Sequence, residues 1–244
     1  MSSGHEVLAA LAAAVREHRA VALVTVFPSE DGSRGAKLLV AEDPARPPTG
    51  TTGAAERDTM LAARARECLR AGRNERLNAD GADVFVQSFA PPPVLHVIGA
   101  VHPAAEVCAA GRLAGFRVVV CDPRSPFATA ERLPAADEIV REWPDAHLTS
   151  AGLGPRDAVA ILTHDLKFDV PAIKVALAAG AGYVGAMGSR RTHERRVARL
   201  REEGVAEEQI ARVASPIGLD LGARSPGEIA IAIVAEIVAR RNRR

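Results

Sequence analysis

A chain of 244 residues is long enough for one large domain or two small ones. Its formal net charge of +1 excludes a global field that would draw it to nucleic acid or anionic lipid, so any basic site is local. No apolar run reaches the ~20 residues that span a bilayer, and three cysteines without C-x-x-C spacing fit neither a disulfide framework nor a zinc site, so a cytoplasmic protein with structural thiols is expected.

The chain begins with an amphipathic pattern over residues 4–18 that reads as a helix; Glu6 breaks the apolar stretch too early for a signal peptide. "AVALVTVF" (20–27) and "GAKLLVAE" (35–42) read as strands around a polar turn. "AERDTMLAARARECLRAG" (55–72) is a helix closed by Gly72, and "ADVFVQSF" (82–89) alternates as a strand. Pro91, Pro92 and Pro93 cannot supply backbone donors and mark a boundary. A small α/β domain is therefore expected over 1–90 and a second domain over 91–244.

After the prolines, short apolar strands alternate with helices: strand 94–100, helix 103–115, strand 116–122, strand 158–164, helix 171–180, strand 182–188 and a helix capped by Ser189. The last helix, 225–241, has Ser225 as N-cap and Pro226 at its first position, and the basic tail 239–244 suits a helix C-terminus. Continuously apolar strands separated by helices imply a parallel sheet covered on both faces. The fold class expected is α/β: a Rossmann-like doubly wound parallel sheet preceded by the smaller α/β domain.

Four stretches carry candidate chemistry. In "VIGAVHPAAE", Gly99 matches the first glycine of a dinucleotide turn, but Val101 stands where the second glycine lets the pyrophosphate approach. His102 could meet a phosphate or serve as a surface cap. Asp122 ends the next strand at the distance of a ribose-binding acid, about twenty residues on, with Arg124 beside it. The alternative is a Rossmann-shaped domain that binds no dinucleotide.

In "ILTHDLKFD", Thr163, His164 and Asp165 follow a buried strand at the edge where open α/β sheets bind ligands. The His164–Asp165 pair suits proton transfer or a polar ligand, or a structural role; no metal-ligand set can be assembled around it. In "GYVGAMGSRRTHERR", Gly185 and Gly188 leave room for a ligand. Ser189, Arg190 and Arg191 open a helix whose dipole end is already positive, so an anion there would relieve the repulsion. A solvated arginine face is the alternative. "SPIGLDLGARSPGEIA" is a stiff Gly- and Pro-rich loop with Asp220 and Arg224 as its charged members. No cysteine is expected to be a ligand or nucleophile: Cys108, in a helix, and Cys121, in a buried strand, have no basic partner to lower their pKa, and Cys68 sits on the helix of the small domain.

Together, "ILTHDLKFD", "YVGAMGSRRTHERR" and "PIGLDLGARSPGEIAIAIVAEIVA" closely resemble the C-terminal domain of the XdhC/CoxI family, from about Val94 to Arg240, and "GAKLLV" resembles part of its smaller domain. The resemblance implies an accessory factor that binds the molybdenum cofactor and serves the maturation of a molybdenum hydroxylase such as xanthine dehydrogenase; it also suggests nucleotide binding. Three places depart from the family: Thr52-Gly53-Ala54 replaces a Gly-Gly-Cys turn, a later Cys-Gly-Gly segment has no counterpart, and Gly99-Ala100-Val101-His102 replaces Gly-Ala-Gly-His.

The leading expectation is thus an accessory factor cradling an anionic pterin or nucleotide between Ser189 and the His164–Asp165 loop. The rival is an NAD(P)-dependent oxidoreductase on the same scaffold, with Asp122 or Arg124 reading the ribose and His164 donating a proton. A scaffold that binds only a protein partner is the third. A homo-oligomer, with no nucleic acid and no membrane, completes the expectation.

Overall fold

The structure, a computed structural model, describes residues 4–27 and 35–242. The polar turn expected between the first two strands falls largely outside the described residues, as do the last two residues of the basic tail. The chain divides into two compact units, Met1–Pro91 and Pro92–Arg244.

The first unit contains α1 (Gly4–Arg16), β1 (Val21–Val26), β2 (Lys37–Ala41), β3 (Thr49–Thr51), α2 (Ala55–Ala71), β4 (Glu75–Ala79) and β5 (Ala82–Phe89). Its strands form an antiparallel sheet in the order β3-β2-β1-β5-β4. Alternation along β1 sends side chains to both faces. Ala22, Val24 and Val26 join a core with Leu61, Ala65 and Leu69 of α2, whereas Val21 and Leu23 pack with Val7 and Ala14 of α1. The turn that starts at Thr52 is fastened by α2. Asp58 accepts from Thr51 Oγ1 at 2.6 Å and from the Thr52 amide at 2.7 Å, and Arg57 Nη2 donates to the Thr52 carbonyl at 2.6 Å.

The second unit runs β6 (Val94–Ile98), α3 (Ala104–Leu113), β7 (Arg117–Cys121), β8 (Glu138–Val140), α4 (Pro144–Ser150), β9 (Ala158–Ile161), α5 (Leu166–Ala178), β10 (Tyr183–Ala186), α6 (Arg190–Glu202), α7 (Glu207–Ile210), β11 (Val213–Ala214) and α8 (Pro226–Asn242). All five strand pairings are parallel, in the order β11-β10-β9-β6-β7-β8. Counted from β6, that is the Rossmann order 3-2-1-4-5-6 read from the other edge, and the expected fold class holds.

Helices cover both faces of this sheet. On one, Ala104, Val107 and Cys108 of α3 and Ile233 and Ile237 of α8 pack with Leu95, Val97 and Val118. On the other, Leu148 of α4, Ile173 of α5 and Leu200 of α6 pack with Ile98 and Ile161. Six elements were not expected from periodicity: β3, β4, β8, α4, α7 and β11, each 7 residues or shorter. The helix expected at 171–180 begins earlier, at Leu166, because Asp165 is its N-cap, and Pro171 lies inside it rather than at its start.

Candidate functional site

Ligands of doubly wound sheets bind beyond the carboxyl ends of the strands, where the strand order reverses. Here that point lies between β6 and β9. Gly99 follows β6 with a φ of +104°, and a Cβ there would run into Thr163, whose amide nitrogen lies 3.4 Å away. Glycine is thus required at this turn by the neighbouring loop. A cleft of about 550 Å³ opens here, bordered by Val101, Arg124, His164, Asp165 and Arg195, with Thr163, Leu166 and Phe168 completing its lining.

Asp122 is buried and turned inward. Its Oδ1 accepts from the Arg124 amide and Nε, both at 2.9 Å, and its Oδ2 accepts from the Ala100 amide at 2.8 Å and Arg124 Nη2 at 2.7 Å. A carboxylate has about four acceptor positions, and all are filled. Asp122 therefore fixes the Gly99–Ala100 turn and aims Arg124; it has no acceptor left for a ribose hydroxyl. Burial alone would raise its pKa, but the Arg124 guanidinium and the two amides outweigh that and hold the carboxyl below the ordinary range.

Beneath the cleft lies an ion pair that sequence reasoning missed. Arg196 of α6 and Asp169 of α5 are both fully buried. Arg196 Nε donates to Asp169 Oδ2 at 2.7 Å, and its Nη2 donates to the carbonyls of Met187 at 2.6 Å and Thr163 at 3.2 Å. Thr163 Oγ1 donates to the other Asp169 oxygen. One guanidinium thus ties the chain ends after β9 and β10 to α5. Burial raises the Asp169 carboxyl, with Thr163 and Arg196 pulling against it. Arg196 Nη1 is buried without a hydrogen-bond partner. A signal was present: Arg196 precedes Leu200 by one helical repeat and shares its inward face.

The expected site residues divide. His164 and Asp165 are exposed at the cleft and Thr163 is buried at its floor. The Asp165 carboxylate also caps α5, accepting from the Lys167 amide at 3.1 Å. His102 is exposed but outside the lining. The room expected at Gly185 is filled: a Cβ there would meet the Tyr183 hydroxyl at 2.5 Å and Ile217 at 2.7 Å, so this glycine serves packing. Gly188 turns with φ +136° against Thr192 and Arg196. Ser189 caps α6, accepting from the Thr192 amide at 3.2 Å. Arg190 and Arg191 are exposed and do not line the cleft; Arg195, one turn on, does. Asp220 and Arg224 are exposed and also lie outside the lining.

All three cysteines are buried. Burial pushes the Cys108 and Cys121 thiols up to about 12 and raises Cys68 as well, so all three are poor nucleophiles. None lines the cleft. No helix among the described residues is long and apolar enough to cross a membrane, and no group of three or more His, Cys, Asp or Glu side chains there could hold a metal ion.

Sheet order, crossovers and cleft define a Rossmann-type domain that follows a small antiparallel α/β domain. The chain belongs to the XdhC and CoxI family: the profile described as the XdhC Rossmann domain matches residues 95–237, and that of the XdhC and CoxI family matches residues 14–80. The chain is 29% identical over 161 residues to a probable xanthine dehydrogenase subunit of Bacillus subtilis (strain 168), covering 66% of this chain and 47% of that one. It is 35% identical over 92 residues to the "Molybdenum cofactor insertion chaperone PaoD" of Escherichia coli (strain K12), covering 38% and 29%. It thus spans less than half the length of these curated relatives. In fold it is similar to the crystal structure of a xanthine dehydrogenase from Bacillus halodurans, with a TM-score of 0.57, 19% identity and coverage of 96% and 94%.

Proposed function

We propose that this chain is an accessory factor for a molybdenum hydroxylase and that its C-terminal domain holds an anionic cofactor in the cleft between β6 and β9. The observation that carries this reading is the convergence of Arg124 and Arg195 on a cleft at the switch point of a family-matched Rossmann domain. Asp122 holds Arg124 through Nε and Nη2, leaving Nη1 to meet a ligand. Charge-assisted bonds from such a fixed guanidinium contribute about 1.5–3 kcal/mol each. The PaoD relative, named for molybdenum cofactor insertion, supports a pterin phosphate as the anion.

Within the site, Arg195 supplies the second positive charge. His164 offers a ring nitrogen that donates or accepts a proton at the cleft edge, while Thr163, Asp169 and Arg196 hold its loop in place. The bound molybdenum cofactor would bring the redox metal; this chain's own residues bind and shelter it. Because the cysteines are buried away from the cleft, sulfur transfer through a thiol of this chain is not part of the proposal. The dinucleotide reading finds no support in Asp122, whose acceptors are filled.

Native mass spectrometry of the purified protein is the test. A pterin or nucleotide mass adduct that disappears in Arg124→Ala/Arg195→Ala is the expected result. An adduct unaffected by that double substitution, or no uptake from a molybdenum cofactor donor, would overturn the assignment.

A further inference from the structure

The first unit has a groove of its own. It opens between α2, β2 and the loop after β2, with a volume of about 380 Å³. Leu38 and Ala62, both buried, form its floor, and Pro44 and Pro48 are exposed at its rim. The rim is stiff. Asp43 Oδ1 accepts from the Ala45 amide at 2.9 Å, the Arg46 amide donates to the Asp43 carbonyl at 3.2 Å, and residues 44–48 hold three prolines. A loop fastened in this way needs little ordering when a ligand binds.

The polar groups that line the groove come from α2 and differ in kind. Arg66 is half-buried. Its Nε donates to the Ala41 carbonyl at 3.2 Å, and neither Nη1 nor Nη2 has a hydrogen-bond or carboxylate partner among the described residues. Two other arginines of the same helix are engaged at their ends, Arg57 by the Thr52 carbonyl and Arg64 by Glu67 and Glu75. Asp58 and Thr59 offer acceptors only. The Thr59 hydroxyl donates to the Ala55 carbonyl at 2.9 Å, so its lone pairs are what remains. Asp58 takes the Thr51 hydroxyl on one oxygen and the Thr52 amide and hydroxyl on the other, which fills three of about four acceptor positions.

Free donors on Arg66, free acceptors on Asp58 and Thr59, and apolar surface at Leu38 and Ala62 together describe one kind of molecule. It carries a planar anion, a short apolar body and an N–H. A carboxylate meets the two Nη nitrogens of a guanidinium as a fork, and the Asp58 charge disfavours a second anionic group. Asp58 and Arg66 are eight residues apart on α2, about 12 Å along its axis. Three or four extended residues cover that length at about 3.3–3.6 Å each. We propose that this groove binds the free carboxyl terminus of an extended peptide, with the carboxylate on Arg66, small apolar side chains on Leu38 and Ala62, and a backbone N–H toward Asp58 and Thr59. The proposal does not depend on the reading given to the cleft of the second unit.

The test is calorimetric titration of the full chain with three probes: the peptide acetyl-Ala-Val-Ala-Leu with a free carboxylate, the same peptide as its carboxamide, and valerate. The free acid should bind about tenfold tighter than the carboxamide, which cannot form the charge-assisted fork. It should also bind about tenfold tighter than valerate, which has the carboxylate and an apolar tail but no N–H. Arg66→Gln should bring the free acid down to the affinity of the carboxamide. Thr59→Val, at an exposed position, should weaken the free acid about threefold. Thermal melts of both variants should match the unaltered chain to within a few degrees.

Equal affinity of the acid and the carboxamide for the unaltered chain would overturn the proposal without recourse to any variant. Valerate binding as tightly as the peptide acid would overturn it as well, by reducing the groove to a site for small carboxylates. A folded Arg66→Gln chain that keeps the preference for the acid would place the carboxylate elsewhere and overturn it, as would failure of all three probes to bind.

Discussion

Arg196 and Asp169 form the one ion pair among the described residues in which both side chains are fully buried. Removing one member leaves an uncompensated charge in the interior, which costs about 3–5 kcal/mol. Asp169→Ala should therefore lower the unfolding free energy by that order in denaturant titration, while Asp169→Leu/Arg196→Met should recover much of it. A fully stable Asp169→Ala would mean that Arg196 finds other partners. The neighbouring arginine behaves differently. Arg195 borders the cleft, whereas Arg190 and Arg191 face solvent. Arg195→Ala should weaken binding of tripolyphosphate about tenfold, against twofold or less for Arg190→Ala/Arg191→Ala. The reverse ranking in calorimetry would return the site to the start of α6.

At the scale of elements, capping residues decide where the helices of the second unit begin. Ser225 and Glu228 form a capping box on α8: Ser225 Oγ accepts from the Glu228 amide at 3.3 Å, and Glu228 accepts from the Ser225 amide at 2.9 Å. Ser189 caps α6 and Asp165 caps α5. Asp165 has two roles that substitutions can separate. Asp165→Ala should cost about 1 kcal/mol through loss of the cap. Asp165→Asn keeps an equivalent cap and removes a negative charge from the proposed anion site, so stability should hold while tripolyphosphate affinity rises severalfold. Loss of binding in the Asn variant would instead make the carboxylate a direct partner of the ligand.

For the molecule as a whole, the buried His96–His147 pair sets a response to acid. His96 Nδ1 and His147 Nε2 are 3.0 Å apart, between the middle of β6 and α4. Burial, with the charges of His147 and Arg117 adding to it, pushes the His96 imidazole down to about 4; burial lowers His147 too, against Glu138 and Glu142. Above pH ~6.5 both folded and unfolded chains hold neutral imidazoles, so the pair costs nothing. Between pH ~6.5 and about 4 the unfolded chain takes up protons that the folded chain refuses, and stability falls by roughly 3 kcal/mol for His96. Denaturant titrations at pH 7.5, 5.5 and 4.5 should show this fall. His96→Leu/His147→Leu should flatten it, and an unchanged pH slope in that variant would put the acid sensitivity elsewhere.

Four strands of the second unit, β6, β7, β9 and β10, were legible because each is a short, largely apolar run bounded by Gly, Pro or a polar turn, and the long helices because their caps are local. The missed elements are those whose form comes from neighbours: β8 and β11 are 3 and 2 residues long and exist only as additions to a sheet edge. Gly99, Thr163, His164 and Asp165 could be read as sheet-edge residues, since strand ends in an alternating pattern mark that edge. Which arginine of "GSRRTHERR" faces water, which borders the cleft and which is buried could not be read, because that depends on how α6 is rotated against α5 and where Asp169 waits. Likewise Asp122 looked like a ligand to a ribose until the fold supplied Arg124 and the Ala100 amide as its partners. Local pattern and family motifs by themselves determined the Rossmann class and the sheet edge on which the cleft opens. Only the tertiary structure decided which polar groups there are already satisfied and which are left for a ligand, because hydrogen-bond partners distant in sequence meet only in the folded chain.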